Sequence, residues 1–476
     1  SLAKAIAVSV LAGTAVPVAA SLYPIRKAGK VSVVEVLKQT VSEKATLGKW
    51  QGVIGALLIV SGFFIKHLLL VVPLMIGIAL VFPNLFRAFA AVLKPVYRLL
   101  GFGGEVAIRN LRRNPGRTSM TSVILCLGIA MIVLMSSLNS ALVQTYERVI
   151  YSSYGGNLDI MFHHIEKDDL EKLKQTAGVA DAQTYPLQSV VWNLQGQKRK
   201  LPVYGVGADW IDRFPLFTVS GGKHSELVRD LGEDELIMDK IAFEMWGGKI
   251  GESISLDTLQ GSRSFKVVAV VDTMKNSGYG AFMSEDSFRK SFGLKYERNA
   301  LVLKDENTSP LQLRENIFDQ FGVRIEEMFG PEDWVSVIGA VYTGSFGLIN
   351  FLIILSTFIS GIGITNTLIM NIMERVRELG MMRAVGVTRG QLVRTVLLEG
   401  FGIGLAATII GCLFGILLID MTSTFLEIRS LTFQFGVSRT IMLIIGLFGI
   451  SISLISSFMP ALRAAKIRLS EALRYE

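Results

Sequence analysis

The chain has little charge and almost no cysteine. Only 18% of its 476 residues are charged, 50% are hydrophobic, and the mean hydropathy is +0.47. Because soluble domains carry about 25% charged residues, this composition excludes a purely soluble globular protein. The two cysteines, Cys126 and Cys412, both lie in apolar runs, so no disulfide framework supports the polar part of the chain.

Sequence motifs for catalysis and for nucleotide or metal binding are missing as well. The sequence has no GxxxxGK[ST] phosphate loop, and its polar region shows no nucleophile paired with a base. The four histidines lack the spacing of metal ligands, and the adjacent pair His163–His164 is typical of a surface loop. We therefore expect no enzymatic activity, no cofactor and no metal site in this chain.

Uncharged runs near bilayer length are abundant instead. A membrane-spanning helix needs about 20 apolar residues, and seven runs approach this length: 5–25, 50–65, 68–86, 118–135, 336–372, 400–419 and 440–462. The second run is short, and with the third it predicts a hairpin. Between the fourth and fifth runs lies a polar block, about 150–335, that is large enough to form a domain.

The basic residues predict the orientation of the chain. They collect in four clusters, within 26–49, 87–117, 375–394 and 463–474. Seven crossings place all four clusters on one face, which is the cytosolic face by the positive-inside rule. The polar block then lies outside the cytosol. The formal charge of +8 follows from this topology, so no nucleic-acid partner is expected.

Two of the predicted helices are longer than a bilayer is thick. A continuous helix over 336–372 would be about 55 Å long, against a hydrocarbon core of about 30 Å, and the helix from 118 extends to about 149 by its apolar stripe. The block between them contains strand-like and helix-like segments in alternation. The predicted fold is a polytopic α-helical membrane protein with an extracytoplasmic mixed α/β domain inserted between two long stalk-forming transmembrane helices.

A charged segment interrupts the apolar sequence at 374–394. It carries five arginines and two glutamates, and each would cost about 2.5–3.5 kcal/mol at the bilayer centre, so the segment must leave the membrane. Apolar residues spaced by three indicate a short helix, and Gly380 and Gly386 permit a turn. Glu378 and Arg383 are five residues apart, so we expect them to face different directions, each free to contact a partner.

The two ends of the chain resemble each other. Pairing Pro24 with Pro460 also pairs Glu35 with Glu471 and aligns three further identities. Either 1–20 is a signal peptide or a first repeat ends here; the repeat favours the second hypothesis, in which further spans precede residue 1. Glycines at GxxxG spacing (400/404 and 411/415) indicate either dimerisation or tight packing within the subunit.

Three stretches, "AIRNLRRNPGRT" (107–118), "TNTLIMNIMERVRELGMMRAVGVT" (365–388) and "PALRAAKIRLSEALR" (460–474), resemble the FtsX/MacB-type permeases of ABC systems. The resemblance covers about 100–476, and the segment before it is similar to the end of a first repeat in ten-span members. It implies that the charged segment is a coupling helix that contacts an ATPase. The implied coupling residues are Glu374, Arg375, Glu378, Gly380, Arg383, Ala384 and Gly386.

The resemblance also implies a function and an organisation. The expected function is a non-catalytic permease subunit in the bacterial plasma membrane, driven by a separate ABC ATPase (two copies, binding ATP and Mg²⁺). It would export or extract a peptide, lipoprotein, lipid-like or drug substrate, or regulate an envelope process, with the lipid bilayer and an extracytoplasmic protein or peptide as further partners. The alternative is an ATPase-independent receptor. The predicted segments are 1–49 (last helix and tail of a first repeat), 50–92 (hairpin), 93–117 (cytosolic amphipathic segment), 118–149 (helix and stalk), 150–335 (α/β domain), 336–373 (long stalk helix), 374–394 (coupling segment) and 395–476 (two helices and tail).

Overall fold

A computed structural model describes most of the chain. The described residues are 10, 13–15, 18, 21–22, 49–64, 71–113, 115–194, 197–219, 221–258, 261–293, 297–426 and 435–467. They belong to two compact units, 1–53 and 54–476. The repeat residues Pro24, Glu35 and Glu471, and most of the predicted span 5–25, lie outside the described residues.

Helices, most of them long and apolar, make up the described chain on both sides of residues 154–330. In chain order they are α1 (Lys49–Phe64), α2 (Val71–Leu99), α3 (Phe102–Arg113), α4 (Pro115–Ser153), α10 (Pro331–Met373), α11 (Val376–Ala384), α12 (Arg389–Leu426) and α13 (Arg439–Ala465). Within the described residues, five of them (α2, α4, α10, α12 and α13) are long and apolar enough to cross a membrane. The predicted second span is a shorter helix with an apolar part, Trp50–Gly62.

The two longest helices, α4 and α10, pack against each other along their length. The rings of Tyr146 and Tyr342 stack at 5.4 Å, and Gly128 leaves room for the side chain of Thr357 further down the pair. With 39 and 43 residues, the helices are about 58 and 64 Å long at about 1.5 Å per residue. Both therefore exceed the bilayer and enter the inserted domain as a stalk.

The inserted domain is mixed α/β, which confirms the predicted fold class. Its first sheet has the strand order β10-β1-β9-β2 and consists of β1 (Leu158–Phe162), β2 (Val179–Tyr185), β9 (Asn299–Lys304) and β10 (Ile325–Phe329). Two helices, α5 (Lys167–Gln175) and α9 (Pro310–Phe321), accompany this sheet. Alternate residues of β1 are buried, as expected for a strand with one face on the core.

The second sheet of the domain closes into a barrel with the order β3-β4-β8-β5-β7-β6. Its strands are β3 (Leu187–Leu194), β4 (Gln197–Val206), β5 (Glu235–Asp239), β6 (Ser253–Thr258), β7 (Gly261–Val271) and β8 (Ala281–Ser284), with helices α6 (His224–Arg229), α7 (Lys240–Trp246) and α8 (Glu285–Phe292). Local signals start α7 and α8: the Asp239 carboxylate accepts the Ile241 N–H and the Ser284 hydroxyl accepts the Ser287 N–H.

The glycines of the membrane helices pack within the subunit. A Cβ on Gly404 would lie 2.6 Å from the Ser453 Cβ of α13, and Cβ atoms on Gly411 and Gly415 would lie 2.7 Å from α4 atoms. Both GxxxG pairs therefore face neighbouring helices of the same chain. Of the two hypotheses for these glycines, tight packing within the subunit is the one that these contacts support.

The side of the membrane on which the inserted domain lies can be tested by labelling. Asn307, in an exposed turn before α9, is the site of choice because the neighbouring Ser309 caps α9 through its hydroxyl. We expect Asn307→Cys to react with an impermeant thiol reagent in intact cells, and the highly exposed Val385→Cys to react only after lysis. Reaction of Asn307→Cys only after lysis, with Val385→Cys reacting in intact cells, would reverse the topology.

Candidate functional site: the cytosolic coupling segment

The charged segment forms a short helix between two sharp turns of the backbone. After α10 ends at Met373, Arg375 leaves the helical region with φ −121° and ψ 17°, and α11 then runs over Val376–Ala384. Gly386 follows with φ +104°, a conformation that disfavours side chains with a Cβ. The next helix, α12, begins at Arg389, five residues before the end of the predicted coupling segment.

One face of α11 packs on the bases of the membrane helices. Leu379 is buried in an apolar cluster with residues of α10, α12 and α13, and Met382 packs against it. Gly380 is buried as well. The cluster also contains Ile372, Leu392, Val396, Ala461 and Ala464. Because α11 contacts three long helices at once, a displacement of α11 must move the ends of these helices that pack against it.

The charged residues of α11 are bound to other parts of the chain. The Glu378 carboxylate accepts hydrogen bonds from Arg113 of α3 at 2.6 Å and from Arg375 at 3.0 Å. Partial burial raises the pKa of Glu378, but these two guanidinium groups outweigh that effect and leave the pKa below the usual glutamate value. Arg383 donates to the backbone carbonyl of Ile467 at 2.5 Å. The expectation that Glu378 and Arg383 are free for a partner is therefore wrong.

A buried glutamate, Glu399 of α12, lies beneath this ion pair. Its carboxylate accepts a hydrogen bond from the Asn110 amide of α3 and lies 3.6 Å from the Arg375 guanidinium. One residue earlier, the Leu398 carbonyl accepts the Tyr97 hydroxyl of α2 at 2.8 Å. Asn110, Glu399, Arg375, Glu378 and Arg113 thus form one polar network that fixes α3 and α11 to α12.

The sequence did not predict Asn110, Arg113 or Glu399 as coupling residues. Asn110 and Arg113 belong to the "AIRNLRR" stretch, so their signal was present, but their partners lie 289 and 265 residues away. Of the predicted coupling residues, Arg375, Glu378 and Arg383 are half-buried and Gly380 is buried, whereas Glu374, Ala384 and Gly386 are exposed. The repeat residue Pro460 is buried within α13.

The solvent side of the segment presents an apolar surface bordered by basic residues. Val385 is 88% exposed and Met381 is 47% exposed, and Ala384 and Gly386 lie exposed beside them. Arg377 is exposed on the same short helix. We call these five residues the docking surface. An exposed valine and methionine at the C-terminal end of a short helix are typical of a protein contact.

Two family models match consecutive parts of the chain. The FtsX-like permease C-terminal model matches 350–469, which includes the coupling segment, and the MacB-like periplasmic core domain model matches 118–317. The chain belongs to the FtsX/MacB-type permeases. Residues 118–317, which include α4 and most of the inserted domain, match the MacB-like periplasmic core domain, and five described helices are long and apolar enough to cross a membrane.

Individual relatives agree with this membership. The chain is 23% identical over 403 residues to the macrolide export ATP-binding/permease protein MacB of Vibrio parahaemolyticus (78% of the chain, 59% of the relative). It is 26% identical over 439 residues to the ABC transporter permease protein Rv0987 of Mycobacterium tuberculosis (84% and 48%). The chain thus spans about half to three fifths of the length of these relatives. The periplasmic region of MacB from Actinobacillus actinomycetemcomitans aligns with 39% of the chain and 93% of its own length at 11% identity and a TM-score of 0.27.

Proposed function

We propose that this permease transmits the work of a separate ABC ATPase to its extracytoplasmic domain and performs no catalysis itself. The ATPase contacts the docking surface, moves α11, and so displaces the cytosolic ends of α10, α12 and α13. The observation that carries this proposal is an exposed apolar surface on a helix whose opposite face is fixed to the long helices.

The stalk gives this motion a route to the outside. α10 leads directly from the coupling segment to the inserted domain, and its contact with α4 makes the two a common lever. Close-packed helices shift as bodies and do not deform continuously. A small tilt at the cytosolic end therefore becomes a larger displacement about 60 Å away, where both helices enter the domain.

The remaining parts of the proposal follow from family membership and chemistry. Two ATPase copies that bind ATP and Mg²⁺ are expected on the cytosolic side of the bacterial plasma membrane, and no nucleic acid takes part. The uncharged interiors of the membrane helices oppose a hydrophilic solute path. They favour extraction or export of a peptide, lipoprotein, lipid-like or drug substrate, or regulation of an envelope process by an extracytoplasmic protein or peptide.

The docking surface can be tested by placing a charge on it. We expect Val385→Glu, and more strongly Met381→Glu with Val385→Glu, to lower ATPase co-purification at least tenfold, because a desolvated unpaired carboxylate at an interface costs several kcal/mol. Both side chains are exposed, so membrane insertion and thermal stability should be unchanged. The measurement is affinity capture of the permease with the ABC ATPase that we expect in the neighbouring reading frame, followed by ATP turnover in nanodiscs.

Val323→Glu is the matched control, since Val323 is 91% exposed but lies in the inserted domain. It should bind the ATPase like the parent chain. If the docking-surface variants retain ATPase binding and turnover, the coupling assignment is wrong. If the parent chain captures no ATPase while the cellular function persists, the result supports the hypothesis of an ATPase-independent receptor.

A further inference from the structure

A buried lysine lies where the stalk joins the inserted domain. Lys275 belongs to the segment Asp272–Gly280 between β7 and β8, which we call the junction loop. Its side chain is 4% exposed, and its ammonium lies 2.6 Å from the Asp159 carboxylate of β1. The ammonium also lies 4.3 Å from the ring centre of Tyr154, directly after α4, and 5.5 Å from that of Tyr185 in β2. Tyr185 donates its hydroxyl to the same carboxylate.

The backbone of the junction loop holds the same parts together. Ser153, the last residue of α4, accepts the Met274 N–H at 3.1 Å. On the barrel side, Thr273 donates its N–H to Asp239 at 3.3 Å and its hydroxyl to the Leu216 carbonyl at 2.5 Å. Asn276 has φ +47°, which is uncommon for a residue other than glycine. The loop therefore contacts the end of the stalk, the four-stranded sheet β10-β1-β9-β2 (the open sheet) and the barrel.

A charge pair is a costly way to fill such a position. Burial lowers the pKa of the Lys275 ammonium, and the Asp159 carboxylate with its hydrogen bond opposes that effect. Apolar residues of similar volume often stabilise a core as well as a buried ion pair does. A buried ion pair differs from an apolar contact because its energy depends on geometry. The ammonium is stabilised only when the carboxylate and the aromatic rings surround it in one arrangement.

We propose that the Lys275–Asp159 pair is a joint that fixes the barrel to β1, which follows the stalk, so that a tilt of α4 reaches the barrel through β1 and the junction loop. The open sheet follows the stalk without this joint, because β1 and β10 are connected to α4 and α10 by a few residues. The joint rests on the proposed function, because it is the route by which the motion of the stalk would enter the barrel. The joint itself can be tested without an ATPase.

The test measures two distances in the full chain in nanodiscs by paired spin labels. One label at Arg148 on the stalk is combined with a second at Glu244 of α7, beside the barrel, or at Glu171 of α5, beside the four-stranded sheet; all three positions are exposed. Cys126 and Cys412 are replaced by alanine. The variant Asp159→Asn with Lys275→Met removes both charges, so that no unpaired charge remains buried. We expect the stalk-to-barrel distribution to broaden about twofold while the stalk-to-sheet distribution is unchanged.

Lys290→Met with Glu233→Gln is the control, because it removes an exposed ion pair of the barrel; both distributions should keep their widths. Two unchanged distributions in the Asp159–Lys275 variant, or two that broaden equally, overturn the joint, since the pair is then an ordinary core contact. Lys275→Met alone should broaden the stalk-to-barrel distribution at least as much. The outcome is independent of ATPase capture, so the joint and the proposed function can fail separately.

Discussion

Replacing Glu399 with alanine is expected to lower the stability of the permease by about 3–5 kcal/mol, the range for removing one partner of a buried ion pair. The loss has two parts. Asn110 loses the acceptor of its amide, and the mostly buried Arg375 guanidinium loses one of its counter-charges and keeps Glu378. The measurement is thermal unfolding in nanodiscs, together with amide exchange over 374–388.

The control for this prediction is Glu105→Ala. Glu105 forms an ion pair with Arg109 on the same helix, α3, but both side chains are more than half exposed, so its removal should cost less than about 1 kcal/mol. Glu399→Gln should fall between the two, because a glutamine oxygen still accepts from Asn110. Equal effects of Glu399→Ala and Glu105→Ala would show that the network does not hold the coupling segment.

The loss of Glu399 should also make the coupling segment more mobile, and this mobility is what affects function. The network fixes the N-terminal end of α11, whereas the docking surface occupies its solvent side and its C-terminal end. We therefore expect exchange over 374–388 to rise more than exchange in α12. ATPase binding should weaken while the docking residues themselves are intact, because a mobile segment loses more entropy on binding.

The membrane architecture was predictable from the sequence because it depends on local composition. Runs such as 336–372 and 400–419 are uncharged over bilayer length, and the arginines of 374–394 mark the exit from the membrane. The mixed α/β character of the inserted domain followed from alternating patterns, as in β7 and α5. Helix ends were less accurate: α10 begins at Pro331, not 336, since its first turns are polar.

The partners within the candidate site were not predictable in the same way. The local sequence around Glu378 predicts an exposed side chain, because its partner Arg113 lies 265 residues earlier. Lys275 and Asp159 are separated by 116 residues and by most of the barrel sequence. No local pattern distinguishes a lysine that faces solvent from one enclosed by two tyrosines. Such pairs depend on how distant elements pack against each other. This packing leaves no periodic pattern in a single sequence.

Replacing Gly400 with alanine is expected to disrupt the contact between α12 and α13. A Cβ at this position would overlap the hydroxyl and approach the Cβ of Ser457 to 2.5 Å. Ser453 donates its hydroxyl to the Gly400 carbonyl at 2.7 Å, so neither helix can withdraw without losing a hydrogen bond. Overpacking of this kind costs about 1–3 kcal/mol, and the bulkier Gly400→Leu should abolish stable folding.

The chain offers both a control and a rescue for this substitution. Gly363→Ala and Gly363→Leu lie in an apolar helix too, but a Cβ there meets no atom within 4 Å, so both should leave thermal stability in nanodiscs near that of the parent chain. Ser457→Gly removes both atoms that the new methyl group would strike, whereas Ser457→Ala leaves its Cβ in place. We therefore expect Gly400→Ala with Ser457→Gly to recover most of the lost stability. If Gly363→Leu is as harmful as Gly400→Leu, or if Ser457→Gly gives no recovery, the GxxxG glycines serve a contact outside this subunit.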